Sequence, residues 1–451
     1  MSIMRDSSHP SGTTQWLGMS ISILLLSAAI VALLAGCNPL PLQTTTQPQM
    51  ATGTPALPQP TSFPTDAALP EPSVITLTIW TTDVLSPTQV LTSGLILAQE
   101  ATAFEAAHPD TQLQFIVKKP HGKGGILDFL LNTQAVVPQL LPDLVFIDLS
   151  ELNTAVQAGL AQPLDGLLPT ELVSDLYPFA RDAATFDDRL YGLQIQADLE
   201  HLAYDTGKMA VPPSSWPGVL SNPGPYIFPA GGQAGLVNDA FLIQYLSLRP
   251  WPSDDDPDAP FLDAESLTAV LQYYQDGASR GIFPADILDY HTTSESWRDY
   301  LQGQAAMTHV SAHQYLEDHD ISPSSAAALI PAINGGAPAF SQGWGMVLVT
   351  TEPEHQSTAI DWMVQLMEPE TNAALNRATN YLPTRQAALV RWDRGDSYTP
   401  FAHQQLQMAR PRPAIPNFAL TASVLQQAVE DVLAGSATPE EAASQAIEQA
   451  Q

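Results

Sequence analysis

The chain reads as an α/β protein whose open sheets are divided between two lobes, and three observations point there. From residue 74 to 147 the hydrophobic period switches between two and three-to-four residues, in the order strand, helix, strand, helix, strand. With an apolar leader set aside, about 415 residues remain, more than one hydrophobic core ordinarily serves. Apolar residues make up 45% of the chain, enough for full cores, and one cysteine leaves no intrachain disulfide to substitute for packing.

Residues 74–80 alternate and are β-branched, which predicts the first strand. Leu91, Leu95, Leu97, Ala101 and Phe104 lie near helical spacing and predict a helix over 86–108, stopped at His108-Pro109-Asp110. Residues 113–117 predict a strand, 126–133 a helix, and Leu144 to Ile147 a buried parallel strand. In open sheets, ligands sit beyond the carboxyl ends of the strands, here near 80–83 and 148–151. Farther on, 190–195 and 202–204 predict short strands around the polar Gln196-Ala197-Asp198. Helices are predicted at 237–248 and 264–281, a helix running into a strand at 297–307, a strand at 345–350, and helices at 358–367, 371–378 and 421–449. No repeat of solenoid period is present.

The sole cysteine, Cys37, closes the run Leu34-Ala35-Gly36-Cys37 after an uncharged apolar stretch that starts at Trp16. This resembles the lipobox of bacterial lipoprotein signals, where a peptidase cuts before the cysteine and its thiol carries a diacylglycerol. The resemblance implies a signal peptide over 1–36 and a lipid on Cys37 that holds the protein at the outer face of the cell membrane. The alternative is an uncleaved transmembrane helix, since 17–34 is nearly long enough to cross a hydrocarbon core of roughly 30 Å. Either arrangement leaves the remaining chain extracytoplasmic. Residues 37–73, rich in Pro, Thr and Gln with no charge before Asp66, predict a flexible tether, because such a segment buries too little apolar surface to offset its ordering entropy.

Sixteen Lys and Arg against 47 Asp and Glu give a net charge of −31. Nucleic-acid binding is excluded on that balance, since phosphate backbones demand clustered cations. The lysines Lys118, Lys119 and Lys123 make one small basic spot, and Lys208 stands apart.

The order of landmarks along the chain resembles the extracellular solute-binding proteins of ABC importers, family 1, the group of maltose-binding protein. Residues 75–80 resemble that family's opening strand, and Phe104-Glu105-Ala106-Ala107-His108-Pro109 its helix end before strand two. Pro142 to Phe146 and Gly159 to Leu164 resemble its third strand and the segment that follows. Tyr191-Gly192-Leu193 with Tyr204-Asp205 resembles the first crossover between lobes, and Gly343-Trp344-Gly345 the second. Gly303 to Met307, Tyr381 to Arg385, Pro411-Arg412-Pro413 and the tail from Leu433 to Ala442 resemble later motifs of the family. The resemblance implies a two-lobed periplasmic-binding-protein fold of type II, each lobe an open sheet flanked by helices, joined by a crossover hinge. Lobe one would be 74–194 plus 346–383 and lobe two 197–343 plus 386–451. The lobes would close on a solute that an ABC permease then receives. No cofactor is implied, the chain is expected to act as a monomer, and ATP would be hydrolysed by partner subunits.

Sugars are held by aromatic faces and by planar polar side chains that bond vicinal hydroxyls. Trp344, between two glycines, is the foremost stacking candidate. Trp80 and Asp83 follow the first strand, and Asp148, Ser150 and Glu151 the third. Asp198 stands where the family resemblance places an acidic ligand residue, and Gln233 lies in a glycine-rich turn of lobe two. After Met307 some sugar-binding relatives carry tryptophans; this chain has Thr308 to Tyr315 instead, which argues against a long maltodextrin and leaves Tyr315 and Tyr381 as the remaining rings. The run Asp254-Asp255-Asp256-Pro257-Asp258 could ligate calcium but lacks EF-hand spacing.

Zinc-protease, nucleophile-elbow and phosphate-loop motifs are absent, and His313 with Glu317 is a pair without a third ligand. The expectation is a binding subunit without chemistry of its own, capturing a mono- or oligosaccharide. Alternatives are a binder of another solute such as a polyamine, a surface-anchored carbohydrate hydrolase working through two carboxylates, and a purely structural surface protein.

Overall fold

The computed structural model describes residues 74–450 except 223, 250–259, 394, 414 and 416. The expected signal peptide, Cys37, the tether and the Asp254–Asp258 run lie outside the described residues.

The first sheet has the strand order Thr111–Val117, Ile75–Thr81, Leu144–Asp148, Trp344–Leu348, Leu193–Gln194. Its first three strands are parallel, with Ile79 opposite both Phe115 and Leu144; Trp344–Leu348 runs antiparallel to them, and Leu193–Gln194, antiparallel to Trp344–Leu348, runs in their direction again. Leu144, Val145, Phe146 and Ile147 are fully buried, as a central strand covered on both faces requires. Helices Thr92–Ala107, Ile126–Val136 and Pro353–Leu366 pack on this sheet, and Phe104, Phe146 and Trp362 anchor its core. The first helix starts at Thr92 rather than 86, because Pro87 and the Ser86–Thr88 hydroxyl pair hold 86–91 in turns.

The second sheet has the order Arg410–Pro411, Phe340–Gln342, Asp198–Asp205, Met307–Ser311, Tyr226–Ile227. Ser325–Ala328 pairs with the far half of the long strand, at residues 202–205. A separate core surrounds this sheet and contains Trp216, Trp297 and Trp392. Both sheets belong to one compact unit of the chain. No helix among the described residues is long and apolar enough to cross a membrane.

The long strand departs from expectation. It begins at Asp198 and runs eight residues, where the sequence pattern suggested only 202–204. Asp198, Glu200 and His201 interrupt the apolar alternation, yet each is accommodated by a partner far along the chain: Asp198 by the His313 N–H, Glu200 by His309, and His201 by the rings of Tyr315, Tyr398 and Phe401. Helices that were not anticipated include Gln386–Trp392 and Tyr398–Met408 and the short Thr170–Asp175, Pro178–Asp182 and Trp216–Leu220. The 421–449 stretch is two helices, Phe418–Leu433 and Pro439–Ala450, broken where Gly435 takes φ +71°.

Three segments cross side by side between the sheets. Ala197 and Leu382 exchange backbone hydrogen bonds of 2.8 and 2.9 Å, and the Ile195 N–H donates to the Trp344 carbonyl at 2.9 Å. Asn372 and Asn376 both donate to the Ile195 carbonyl, and the Thr384 hydroxyl donates to the Gln194 carbonyl at 2.5 Å. At the tightest point Gly343 adopts φ +139°, and a Cβ there would lie 2.1 Å from the Gln196 carbonyl oxygen. Gly343→Ala should therefore lower stability by about 2 kcal/mol or more, read as a reduced urea midpoint. An unchanged midpoint would show that the crossing strands part freely.

Candidate functional site

The crossing determines which side chains meet. Trp344 is the first residue beyond Gly343 and sits opposite Asp148 on the neighbouring strand. Its ring is 9% exposed and lies 5.5 Å from the His121 ring. Asp148 ends its strand, and its carboxylate accepts the Ser150 N–H at 2.8 Å, capping the short turn Leu149–Glu151. Glu151 pairs with His121 at 3.4 Å. Burial raises the Glu151 carboxyl above the ordinary carboxylate range; His121 opposes this shift and the charge of Asp148 adds to it.

Tyr381 comes from the third crossing segment and stacks on His313, centroids 4.4 Å apart and planes 14° from parallel. Burial pushes its hydroxyl up to about 12; the charge of Asp198 adds to this, a hydrogen bond from the Trp344 side chain opposes it, and Asp148 and Glu317 add further. The phenol thus keeps its proton amid carboxylates from both sheets. Asp198 accepts the N–H groups of Leu199 at 3.0 Å and His313 at 2.9 Å, and burial still raises its carboxyl. His313 Nδ1 and Glu151 Oε2 are buried with no hydrogen-bond partner among the described residues. Unsatisfied polar atoms of this kind mark places where a ligand can bond.

Next to this group the second sheet borders a cavity of about 480 Å³, lined by Gln233, Asn238, Asp239, Glu200, Gln342 and Arg412 among others. The two regions are continuous along the strands: Gln342 is the cross-strand partner of Asp198, and Glu200, two residues on, shares a strand face with it. Asn238 caps helix Asp239–Leu246 by accepting the Ala240 N–H at 3.2 Å. Asp239 accepts Gln342 Nε2 at 2.8 Å and lies 2.9 Å from Arg412 Nη2. Burial pushes its carboxyl up to about 6; Arg412 opposes, the charge of Glu200 adds, and the Gln342 hydrogen bond opposes.

Of the residues expected from sequence, Asp148, Asp198, Trp344 and Tyr381 come together, and Gln233 lines the adjoining cavity with an exposed side chain. Ser150 is exposed and contributes its backbone N–H to Asp148. Trp80 is 5% exposed, edge-on to Phe129 with the Lys118 ammonium 4.4 Å above its ring. Asp83 is exposed and bonds the neighbouring Val84 N–H. Tyr315 supplies no cleft ring: it is buried on Tyr398 at 5.0 Å, and its hydroxyl donates to the Ser325 carbonyl. Sequence reasoning missed His121, Glu200, Asp239, Gln342 and Arg412. The available signals were the position of Gln342 just before the hinge glycine, and an Asn-Asp pair after a glycine-rich turn. Among the described residues no group of three or more His, Cys, Asp or Glu could hold a metal ion.

Asp239 supplies a pH test. Its carboxyl titrates near 3.8 when unfolded and near 6 when folded, so the folded state holds the extra proton between them and this contribution to stability is lost as pH rises through that window. Asp239→Asn, which cannot ionise, should flatten the decline. Urea midpoints across pH check this, and parallel profiles for the two proteins would refute it.

Residues 101–394 match the model of the bacterial extracellular solute-binding protein family. No curated protein sequence matches the chain. Among solved structures, the cyclic alpha-maltosyl-1,6-maltose binding protein of Arthrobacter globiformis is similar at 18% identity and TM-score 0.65, covering 83% of this chain and 98% of its own. The maltose-binding periplasmic protein MalE of Listeria monocytogenes, solved with maltose, is similar at 16% identity and TM-score 0.65, with coverages of 83% and 96%. The sugar-binding protein MalE of Xanthomonas citri follows at 15% identity and TM-score 0.64, again with 83% and 96%. At such identities the likeness establishes the fold, the two-lobed architecture of the maltose-binding proteins. With more than half of its length matched by the family model and its two sheets wound in that architecture, the chain belongs to the bacterial extracellular solute-binding proteins.

Proposed function

We propose that the protein is the lipid-anchored, solute-capturing subunit of an ABC importer, that its solute is a sugar or short oligosaccharide, and that it performs no chemistry. The observation that carries the reading is the group at the crossing: Trp344, Tyr381, Asp148 and Asp198, contributed by both sheets and the third crossing segment. Aromatic rings, a protonated phenol and several carboxylates suit the C–H faces and hydroxyl groups of a pyranose. The similar proteins of Arthrobacter globiformis and Listeria monocytogenes bind cyclic alpha-maltosyl-1,6-maltose and maltose. Lobe one is assigned to 74–194 with 346–383 and lobe two to 197–343 with 386–451. The strands of each sheet fall within those ranges, save that Trp344–Leu348 begins two residues before 346. The solute would favour the closed form by its higher affinity for it, and the permease would receive that form. Anchoring through Cys37 rests on the lipobox resemblance.

A thermal-shift screen of the purified protein against glucose, maltose, maltotriose, cellobiose, amino sugars and polyamines tests this. A sugar at about 100 times its dissociation constant should stabilise the fold by roughly 2.7 kcal/mol, and Trp344→Ala should remove the shift. A folded protein that responds to no sugar would contradict the reading. Mass spectrometry of the membrane fraction should find a diacylglyceryl-modified Cys37 N-terminus, whereas an intact leader would sink the anchor.

A further inference from the structure

Beneath the cavity lies a string of three polar side chains with only one end in the open. His309 is 2% exposed, and its Nδ1 donates to Glu200 Oε1. On its other side His309 Nε2 meets the Tyr226 hydroxyl at 2.5 Å. Burial pushes the Tyr226 hydroxyl well above its ordinary value, and the neighbouring Tyr273, Tyr274 and Glu200 add to that, so the phenol is the donor. A phenol donating to Nε2 fixes the Nδ1–H tautomer and aims that hydrogen at the carboxylate. Phe228, Tyr273 and Tyr274 seal the inner end, where the remaining void is too small for a water molecule. Glu200 is 14% exposed and lines the cavity, and its Oε2 has no hydrogen-bond partner among the described residues.

A buried polar string adds little net stability over an apolar filling of the same shape, so packing alone does not account for it. What it does achieve is direction: Glu200 Oε1 is spent on His309, which leaves Oε2 as a fixed acceptor facing the cavity. The opposite carboxylate, Asp239, is already engaged by Gln342 and Arg412.

We propose that Glu200 is the acceptor that orients the solute in this cavity, bonding one of its hydroxyl groups through Oε2, with His309 and Tyr226 as positioning residues that never touch the solute. The proposal rests on the sugar-binding reading above. Its test is calorimetric titration of wild type, Glu200→Gln, Tyr226→Phe, His309→Leu and His309→Asn with glucose, maltose, cellobiose and their monodeoxy forms.

Glu200→Gln should weaken binding on the order of tenfold or more, because a bond to a charged group is lost. Tyr226→Phe and His309→Leu should weaken it several-fold. His309→Asn, which returns a donor near the Nδ1 position, should restore most of the loss. For the one deoxy sugar that lacks the bonded hydroxyl, the losses should vanish, since the two changes remove the same contact. Equal losses for every deoxy sugar would reveal a merely structural role and overturn the proposal, as would variants that bind like wild type. Should wild type bind none of these sugars, the underlying sugar reading falls and this proposal with it, an outcome distinct from wild-type binding with indifferent variants. Tyr226→Phe removes a single oxygen, so it keeps the test valid even where a His309 variant does not fold.

Discussion

The contact on which the rest of the structure depends is the one between Gly343 and the Gln196 carbonyl. Two chain segments pass so closely there that no side chain fits between them. Around that point the crossing is pinned by side chains and not by bulk: Asn372 and Asn376 on the Ile195 carbonyl, Gln196 Nε2 on the Thr379 hydroxyl at 2.6 Å, and Thr384 on the Gln194 carbonyl. Directional bonds of this kind fix the register of the crossing strands. Because the register is fixed, Trp344 and Asp198 emerge within two residues of the crossing on their respective strands. Groups placed at a hinge feel any change in the angle between the sheets most directly.

The site concentrates carboxylates in a chain that already carries a net charge of −31. Burial raises the carboxyls of Glu151, Asp198 and Asp239 alike, and each is restrained by donors close by: His121, backbone N–H groups, and Arg412 with Gln342. Tyr381 plays the complementary part, a phenol whose proton is held by burial and then by the carboxylates around it. The candidate site thus holds acceptors in place beside a donor that stays protonated, the combination that hydroxyl groups require.

Much of the fold was legible because its signals are local. The parallel core of the first sheet shows in β-branched alternation and in the uninterrupted run Leu144 to Ile147; a strand end marked Asp148, and flanking glycines marked Trp344, as candidates near a crevice. What stayed hidden depends on distant partners. The strand Asp198–Asp205 looks too polar to be one until His309, over a hundred residues later, is seen against Glu200. The same holds for Asp239, which reads as an exposed helix-start acid until Gln342 and Arg412 are placed on it. Conversely, the aromatic character of Trp80 and Tyr315 was visible, but sequence pattern cannot tell a ring facing a cleft from one packed on Phe129 or Tyr398.

Closure of the two lobes about the crossing on a bound sugar is the central claim, and small-angle X-ray scattering reads it most directly. Profiles of the purified protein, with and without the sugar giving the largest thermal shift, should show a smaller radius of gyration in its presence, and Gly343→Ala should blunt that change. A radius of gyration unchanged at saturating sugar would contradict hinge closure.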